Sequence, residues 1–403
     1  MLKQIAGSSI RESATFLAPA QAELAQLVDW LFGTALPFWS SRGVDATNGF
    51  FERFSSNGTV MPDARRARLV GRQMYCFEAA GRLGWSGGAE ALVRHGLAAL
   101  ESGFFAADGT VIRTTDHHGR PLDTSFDLYD QAFALFGMAA AHRALGRPLS
   151  VQQRAAALLS ALRRHYAHPI AGFEEALVPM VPLKANPHMH LFEAAIAWSE
   201  ETSADEWTAL ADMIAELCLS HFLSPSTGAL SEFYDHAWQA IATPPEDVIE
   251  PGHQFEWAWL LIRWGRQRNR PDAIAASKRL IELAETYGVD AETGLAINAL
   301  APDLSPRDRL ARLWPQTERI KAHVAALALT DDPEEQQHCA AKIAAAAAGL
   351  RRYFDHPVPG LWYEHIALDG RPLNEPARAS SLYHIICAID VMAEGLKVGD
   401  FRG

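Results

Sequence analysis

Apolar residues along this chain fall into twelve stretches with the three-to-four-residue spacing of helices, and two kinds of stretch alternate. Six are alanine-rich with a single apolar stripe: residues 19–36, 87–101, 150–168, 204–222, 271–287 and 333–354. The other six are apolar around most of their circumference: residues 64–83, 125–145, 188–199, 253–268, 307–329 and 380–396. A one-striped helix belongs on the outside of a fold, and one apolar on most sides belongs inside. Pro271 and Pro333 fit first helical turns, where a missing N–H costs nothing.

Between these helices a glycine followed by an apolar residue opens a short extended stretch. It does so at Gly49 (GFFERF), Gly103 (GFFAAD), Gly172 (GFEEAL), Gly228 (GALSEF), Gly294 (GLAINA) and Gly360 (GLWYEH), at intervals of 54, 69, 56, 66 and 66 residues. Such a period marks one supersecondary unit repeated until neighbours cover its apolar faces. Six inner and six outer helices predict an all-α fold, an (α/α)6 barrel with short hairpins over one end, as one domain across residues 1–403. An irregular α-solenoid is the alternative arrangement. About 18 to 25 residues after each glycine stands a polar or ionisable residue: Arg72, Asp127, His190, His253, Glu318 and His384. In a closed ring these six converge near the N-terminal ends of the inner helices, where helix dipoles favour negative charge. A deep, Trp-lined cavity at that mouth is the expected binding site.

A chain of 403 residues is long for one domain, yet no Pro/Gly/Ser-rich linker divides the repeats. The hydrophobic share of 49% is enough for a large core. There is no run of eighteen uncharged apolar residues and no stretch suited to a signal peptide at the N-terminus, so a cytoplasmic setting without membrane contact is expected. Cys76, Cys218, Cys339 and Cys387 are isolated, which fits neither a zinc site nor a disulfide framework. The net charge of −12 disfavours nucleic acid and anionic membranes as partners. In the one basic cluster, Arg65, Arg66 and Arg68 read as a solvated helix face, and Arg72 stands apart as a candidate for the mouth. The 16 histidines and 11 tryptophans are more informative. Histidine suits proton transfer near neutral pH, and tryptophan offers a flat apolar face for a sugar ring.

The most telling local pattern occurs twice. His190-Leu-Phe-Glu193 and His253-Gln-Phe-Glu256 both read His-x-x-Glu near the start of an inner helix, which puts both side chains on one face. A single such pair is as well explained by a satisfied core histidine. Two at matching repeat positions, with His384 at a third, point to chemistry. A metal is the rival explanation, but di-iron bundles use Glu-x-x-His on each of two facing helices, and the Glu335–His338 instance here lies on an outer helix. No Gly-x-Ser-x-Gly and no phosphate-binding glycine loop is present, and Gly-Trp-Ser-Gly-Gly at 84–88 reads as a turn between helices. Several histidines, an arginine and buried carboxylates, with no metal and no cofactor, suit proton abstraction from a carbon next to a carbonyl. An imidazole takes the proton, a second group handles oxygen protons, and a cation or N–H donors stabilise the enediolate.

At these residues the chain resembles the N-acylglucosamine 2-epimerase superfamily, which includes cellobiose 2-epimerases and bacterial mannose (aldose–ketose) isomerases. The motifs lie in order, one per repeat: Val70-Gly-Arg72-Gln-Met-Tyr-Cys-Phe, Asp127-Leu-Tyr-Asp130-Gln-Ala-Phe133, Asn186-Pro-His-Met-His190-Leu-Phe-Glu193, Pro251-Gly-His253-Gln-Phe-Glu256, Leu313-Trp-Pro-Gln-Thr-Glu318 and Ser380-Ser-Leu-Tyr-His384. The resemblance implies an (α/α)6 barrel and cofactor-independent proton transfer through a cis-enediol. It implies His253 and His384 as the acid/base pair, His190 in ring opening, Arg72 on the oxygens of the reacting carbons, and Glu256 in support of His253. Asp127, Tyr129, Asn186, Glu193, Trp314, Glu318 and Trp362 are the implied substrate-binding residues.

The tail GLWYEHIALDGRPLNEPARASSLYHI is most similar to mannose isomerases and their mannose-6-phosphate isomerase relatives. The expected reaction is interconversion of D-mannose and D-fructose, with D-lyxose and D-xylulose as a second pair. A phosphosugar would call for several basic residues at the mouth. Only Arg72 is expected there, so a free monosaccharide is the expected substrate of a monomer or homodimer. A sugar 2-epimerase of the mannose/glucose, cellobiose or N-acylglucosamine type uses the same residues and is the alternative. An inverting glycoside hydrolase would need two carboxylates about 6.5–9.5 Å apart, with Asp127 and Glu256 or Glu318 as candidates. A non-catalytic sugar-binding protein would have no need of histidine at three repeat positions.

Overall fold

The two kinds of helix become two concentric rings in a computed structural model that describes residues 2–396, with side chains from residue 16 onward. In chain order the helices are α1 (Leu2–Trp30), α2 (Leu36–Ser41), α3 (Ala67–Arg82), α4 (Ala89–Gly103), α5 (Leu128–Ala144), α6 (Leu149–His165) and α7 (Ala185–Glu201). They continue with α8 (Asp205–Leu217), α9 (Pro251–Arg268), α10 (Pro271–Tyr287), α11 (Leu313–Leu327), α12 (Pro333–Arg351) and α13 (Ser381–Gly395). The odd-numbered helices from α3 to α13 form the inner ring, each packed against the next, and α13 packs back on α3. That last contact, with α1 against α12, closes the ring and excludes an open solenoid. Burial follows the sequence pattern. In α5 every residue from Leu128 to His142 is buried except Tyr129, whereas α10 buries only Ala273, Ser277, Leu280, Ile281, Leu283 and Ala284. No helix among the described residues is long and apolar enough to cross a membrane.

Short antiparallel strands cover one end. They are β1 (Arg53–Phe54), β2 (Arg65–Arg66), β3 (Thr114–Thr115), β4 (Pro121–Asp123), β5 (Leu183–Lys184), β6 (Phe233–Tyr234), β7 (Ile297–Leu300), β8 (Pro306–Arg312), β9 (His365–Ile366) and β10 (Ala377–Arg378). Most pairs join different repeats, so these are not simply local hairpins. β1 pairs with β10, with Arg53 opposite Arg378, and ties the first repeat to the last. Residues 307–312, expected as the start of an inner helix, lie in β8, and α11 begins only at Leu313. Arg65 and Arg66 likewise lie in β2, ahead of the helix. Arg65 is buried on Asp45 at 2.6 Å, Arg66 meets Glu52 at 2.6 Å, and Arg68 meets Asp127 and Asp130. These arginines are tied down by carboxylates and do not form a solvated face.

The repeat glycines sit at the tight turns where positive φ is required, with one correction. Gly49, Gly172, Gly228, Gly294 and Gly360 have φ from 70° to 89°, but in the second repeat the turn glycine is Gly109 at φ 88°, and Gly103 is the last residue of α4. The intervals become 60, 63, 56, 66 and 66 residues, a tighter period than the sequence reading had. A device absent from that reading fixes four of these turns to the inner ring. The fourth residue of α5, α9 and α11 is a glutamine whose amide both donates to and accepts from one backbone unit. Gln131 grips Val111, Gln254 grips Leu230 and Gln316 grips Ala296, all at 2.8–3.0 Å. In α7 the fourth residue, His188, accepts from Phe173 N at 3.0 Å.

Helices α3 and α5 approach backbone to backbone at Gly71 and Gly137. A Cβ on Gly71 would lie 2.0 Å from the Phe133 carbonyl oxygen, and one on Gly137 would lie 2.5 Å from Gly71 Cα. No side-chain movement relieves such a clash, so Gly71→Ala must push the helices apart. Overpacking costs about 1–3 kcal/mol and sometimes more, and a loss near about 3 kcal/mol is expected here. A thermal scan checks this, since an unchanged midpoint would mean that the helices do not meet so closely.

Candidate active site

The first turns of all six inner helices surround a cavity of about 160 Å³, whose walls include Arg72, His190, His253, Glu256, Trp314 and His384. Tyr129 and Asn186, the second residues of α5 and α7, also line it. The polar residues do not occupy one equivalent position. Arg72, His190 and Glu318 are sixth in their helices, His253 is third, His384 is fourth and Asp127 is the N-cap of α5. A larger cavity of about 620 Å³ opens among residues toward the C-terminal ends of the inner helices. It is lined by none of the three histidines, and its Arg82, Arg143 and Arg263 are paired with acids, so the chemistry belongs to the smaller one.

Each of the three imidazoles meets a carboxylate at Nδ1. His190 meets Glu193 at 3.2 Å, His253 meets Glu232 at 2.8 Å with Glu250 at 3.7 Å, and His384 meets Glu318 at 2.9 Å. Carboxylates that accept from Nδ1–H fix the tautomer and leave Nε2 for the cavity. The surroundings then separate the three. Burial pushes His190 down to about 4, with Glu193 opposing. Burial, then Arg72 and Lys321, depress His384 well below its ordinary value. Burial also acts against charge on His253, but Glu232 and Glu250 outweigh it and lift the group to about 10. At neutral pH the site therefore holds two neutral imidazoles and one imidazolium. Groups pushed apart in this way take the acid and base roles. The Trp314 indole neighbours both members of the opposed pair, with ring centroids 4.9 Å from His253 and 5.7 Å from His384.

Arg72 is buried, and its Nη2 donates to Tyr129 Oη at 2.5 Å. Its guanidinium carbon lies 4.1 Å from the Phe133 ring centroid, and Nε has no partner. Among the described residues no carboxylate pairs with it. Contrary to the expectation from sequence, Arg72 is not the only cation at the mouth. Arg312 and Arg378, from the ends of β8 and β10, also line the cavity, and neither forms an ion pair among the described residues.

Four expected substrate contacts do not reach the cavity. Asp127 caps α5 and is held by Arg68 at 2.5 Å. Glu193 lies beneath His190 and accepts from Tyr383 Oη at 2.5 Å. Glu318 is fully buried behind His384. Trp362 is fully buried, stacked on Trp39 at 5.0 Å with Nε1 donating to Glu364, because it fills the core between repeats. Glu256 lines the cavity but does not support His253. Among the described residues neither of its oxygens has a hydrogen-bond partner, and burial with repulsion from Glu318 pushes it well above its ordinary value, so it carries a proton. Since Asp127 and Glu318 are elsewhere, the carboxylate pairs named for a hydrolase do not face each other across the cavity.

The partner of His253, Glu232, went unnoticed in the sequence, though a signal for it exists. An acid stands three or four residues after four of the turn glycines, and each grips the start of the following inner helix. Glu52 holds Arg66 at the N-cap of α3, Glu175 holds Lys184 at the N-cap of α7, Glu232 holds His253, and Glu364 accepts from Ser381 Oγ in α13.

By spacing alone four groups could hold a cation: His190/Glu193/Glu256, Glu232/Glu250/His253, Glu256/Glu318/His384 and, away from the cavity, His168/Glu174/His236. In the last, His168 Nδ1 accepts from Trp238 Nε1 at 3.1 Å and Ile170 N at 3.2 Å. Its hydrogen must then sit on Nε2, facing Glu174, and that nitrogen has no lone pair for a metal. In the other three, each imidazole nitrogen nearest the acids shares a proton with a carboxylate, and a cation would have to displace it.

The chain is similar to proteins already known. The profile of the N-acylglucosamine 2-epimerase (GlcNAc 2-epimerase) family matches residues 49–388. A protein of Rhizobium meliloti (strain 1021) named mannose-6-phosphate isomerase is 41% identical over 93% of this chain and 98% of its own. A D-mannose isomerase of Thermobifida fusca is 28% identical over 69% of this chain and 72% of its own. A crystal structure of a D-mannose isomerase shares the fold at a TM-score of 0.80, with 19% identity across 95% of this chain and 98% of that one.

Proposed function

The chain belongs to the N-acylglucosamine 2-epimerase family, and from that premise we propose that it interconverts D-mannose and D-fructose, with D-lyxose and D-xylulose as a second pair. It is an enzyme of the sugar isomerase and epimerase kind. The observation that carries the reading is the charge division around one small cavity, which neutral His384 and imidazolium His253 both line, each beside Trp314. His190 removes the proton of the anomeric hydroxyl while protonated Glu256 supplies one to the ring oxygen, which opens the hemiacetal. His384 then takes the proton from C2. The electron pair of that C–H bond becomes the C1–C2 double bond as the carbonyl oxygen at C1 gains a proton from His253. In the second half His384 returns its proton to C1, the O2 proton passes to His253, and a C2 ketone is left. Both histidines end as they began, and ring closure of the ketose restores the other two groups: the attacking hydroxyl gives its proton to Glu256 while the C2 oxygen takes the one His190 holds. No step draws on a cofactor, and a cytoplasmic location belongs to the same reading.

A second reading concerns the substrate and not the chemistry. Arg312 and Arg378 supply the additional cations that a phosphosugar calls for, which favours mannose 6-phosphate and fructose 6-phosphate. Comparing kcat/KM on free and phosphorylated mannose separates the two. Incubation with D-mannose in D2O, followed by NMR, tests the reaction class. Fructose is expected, with deuterium at C1 in the fraction of turnovers in which the proton on His384 exchanges with solvent before its return, whereas glucose deuterated at C2 would make the enzyme an epimerase. The rate should be unaffected by EDTA. Activity lost in chelator and restored by a divalent ion would overturn the metal-free scheme.

A further inference from the structure

Beneath the cavity lies a buried cation that the scheme above does not use. Lys321 sits one turn after Glu318 on α11, with no solvent exposure. Its Nζ lies 2.5 Å from Glu318 Oε2, 3.8 Å from Glu256 Oε1 and 3.9 Å from the Trp259 ring centroid. Glu318 Oε1, on the other side of the same carboxyl, meets His384 Nδ1. We propose that Lys321 is a positioning residue: it keeps Glu318 ionised, so that Glu318 holds the Nδ1–H of His384 and leaves Nε2 free to take the substrate proton. The inference rests on the reading of His384 as the base.

A carboxylate removed from water neutralises itself unless a cation answers it. Burial lifts Glu318 above its ordinary value, and the Lys321 ammonium pulls it back more strongly than any other group. Lys321 itself stays charged, since nearby Glu318 and Glu193 outweigh its burial, while Glu256 carries a proton and Cys387, pushed up to about 12, is a neutral thiol. Without the ammonium, Glu318 becomes a carboxylic acid. It then either donates to Nδ1, which moves the imidazole hydrogen to Nε2 and removes the base, or lets the ring turn. The groups facing His384 are Glu318 and Lys321 of α11, Arg72 of α3, His190 and Glu193 of α7, Glu256 of α9 and Tyr383 of its own helix. Of these, only Lys321 is a cation paired with Glu318.

The test compares Lys321→Met, Glu318→Gln and the double variant, with folding followed by circular dichroism. Because an opposite charge at this range lowers a carboxyl by about 1–3 pH units, Lys321→Met should move the acid limb of kcat upward by at least about one unit. The double variant should turn over within about twofold of Glu318→Gln, since the carboxylate that links Lys321 to the Nδ1–H of His384 is then gone. A wild-type acid limb in Lys321→Met, or a double variant at least about tenfold slower than Glu318→Gln, overturns the proposal. The second comparison decides the matter even where Lys321→Met does not fold. Infrared difference spectra of the free protein at neutral pH supply an arm independent of turnover. Lys321→Met should gain a protonated-carboxyl band that the double variant lacks, and absence of that band also overturns the proposal. Wild-type inactivity on both sugars would instead sink the functional reading and leave the infrared result standing.

Discussion

His384→Ala lowers kcat by about 10²–10⁴-fold, the range for losing a positioned general base, and abolishes exchange of the C2 proton of mannose with D2O. The imidazole lines a cavity, so its removal opens no void in the core and the helical signal should stay unchanged. The pH profile distinguishes its role from that of His253. A base whose value is depressed is neutral, and active, at every pH above that value, so its limb lies on the acid side and well below 6.5. An acid raised to about 10 stays charged below that pH, so its limb lies on the alkaline side near about 10. The wild type should therefore show a broad plateau through neutral pH. His253→Ala should lose the alkaline limb along with most of its turnover. Near-normal turnover and retained C2 exchange in His384→Ala would mean that another group takes the proton.

The ring and its three histidines were legible because both follow from periodicity. Alternating one-striped and all-round apolar helices, repeated six times, closes into a barrel, and residues in the first turns of its inner helices must meet at one end. Partners were legible only where they are local. His190 is the sixth residue of α7, inside regular helix, so Glu193 one turn later reaches its ring. His253 is the third residue of α9, where the ring turns outward to the preceding extended segment and finds Glu232, 21 residues earlier. The same His-x-x-Glu spelling thus gives two different pairings. Arg312 and Arg378 were hidden for a related reason. Strand β8 had been read as the first two turns of α11, and a two-residue strand such as β10 has no periodicity to detect. Glycines deceive similarly, since Gly103 is followed by an apolar residue and Gly109 by Thr110, yet only the second has positive φ.

Arg72→Ala should lower kcat by about 10²–10³-fold, comparable to removing a donor aimed at a developing oxyanion, with a smaller change in KM. The expectation comes from what surrounds the side chain. A buried guanidinium is ordinarily paired, and the arginines just before it in the chain are: Arg65, Arg66 and Arg68 each meet a carboxylate at 2.5–2.6 Å. Arg72 instead has a tyrosine hydroxyl, the faces of Phe133, Tyr129 and Tyr383, and an unpartnered Nε. Its missing counter-ion is supplied as charge builds on the carbonyl oxygen, so its interaction strengthens on the way to the enediolate and acts on turnover more than on ground-state binding. Arg72→Lys keeps the charge but loses the planar fork and its stacking on the rings, and should recover only part of the rate. Measuring the same variants on mannose and on mannose 6-phosphate separates this role from phosphate binding. Arg72→Ala should depress turnover on both sugars alike, whereas Arg312→Ala or Arg378→Ala should weaken only the phosphorylated one. An Arg72→Ala enzyme that loses a preference for the phosphosugar while keeping wild-type kcat would place this arginine on the phosphate and leave the enediolate without its cation.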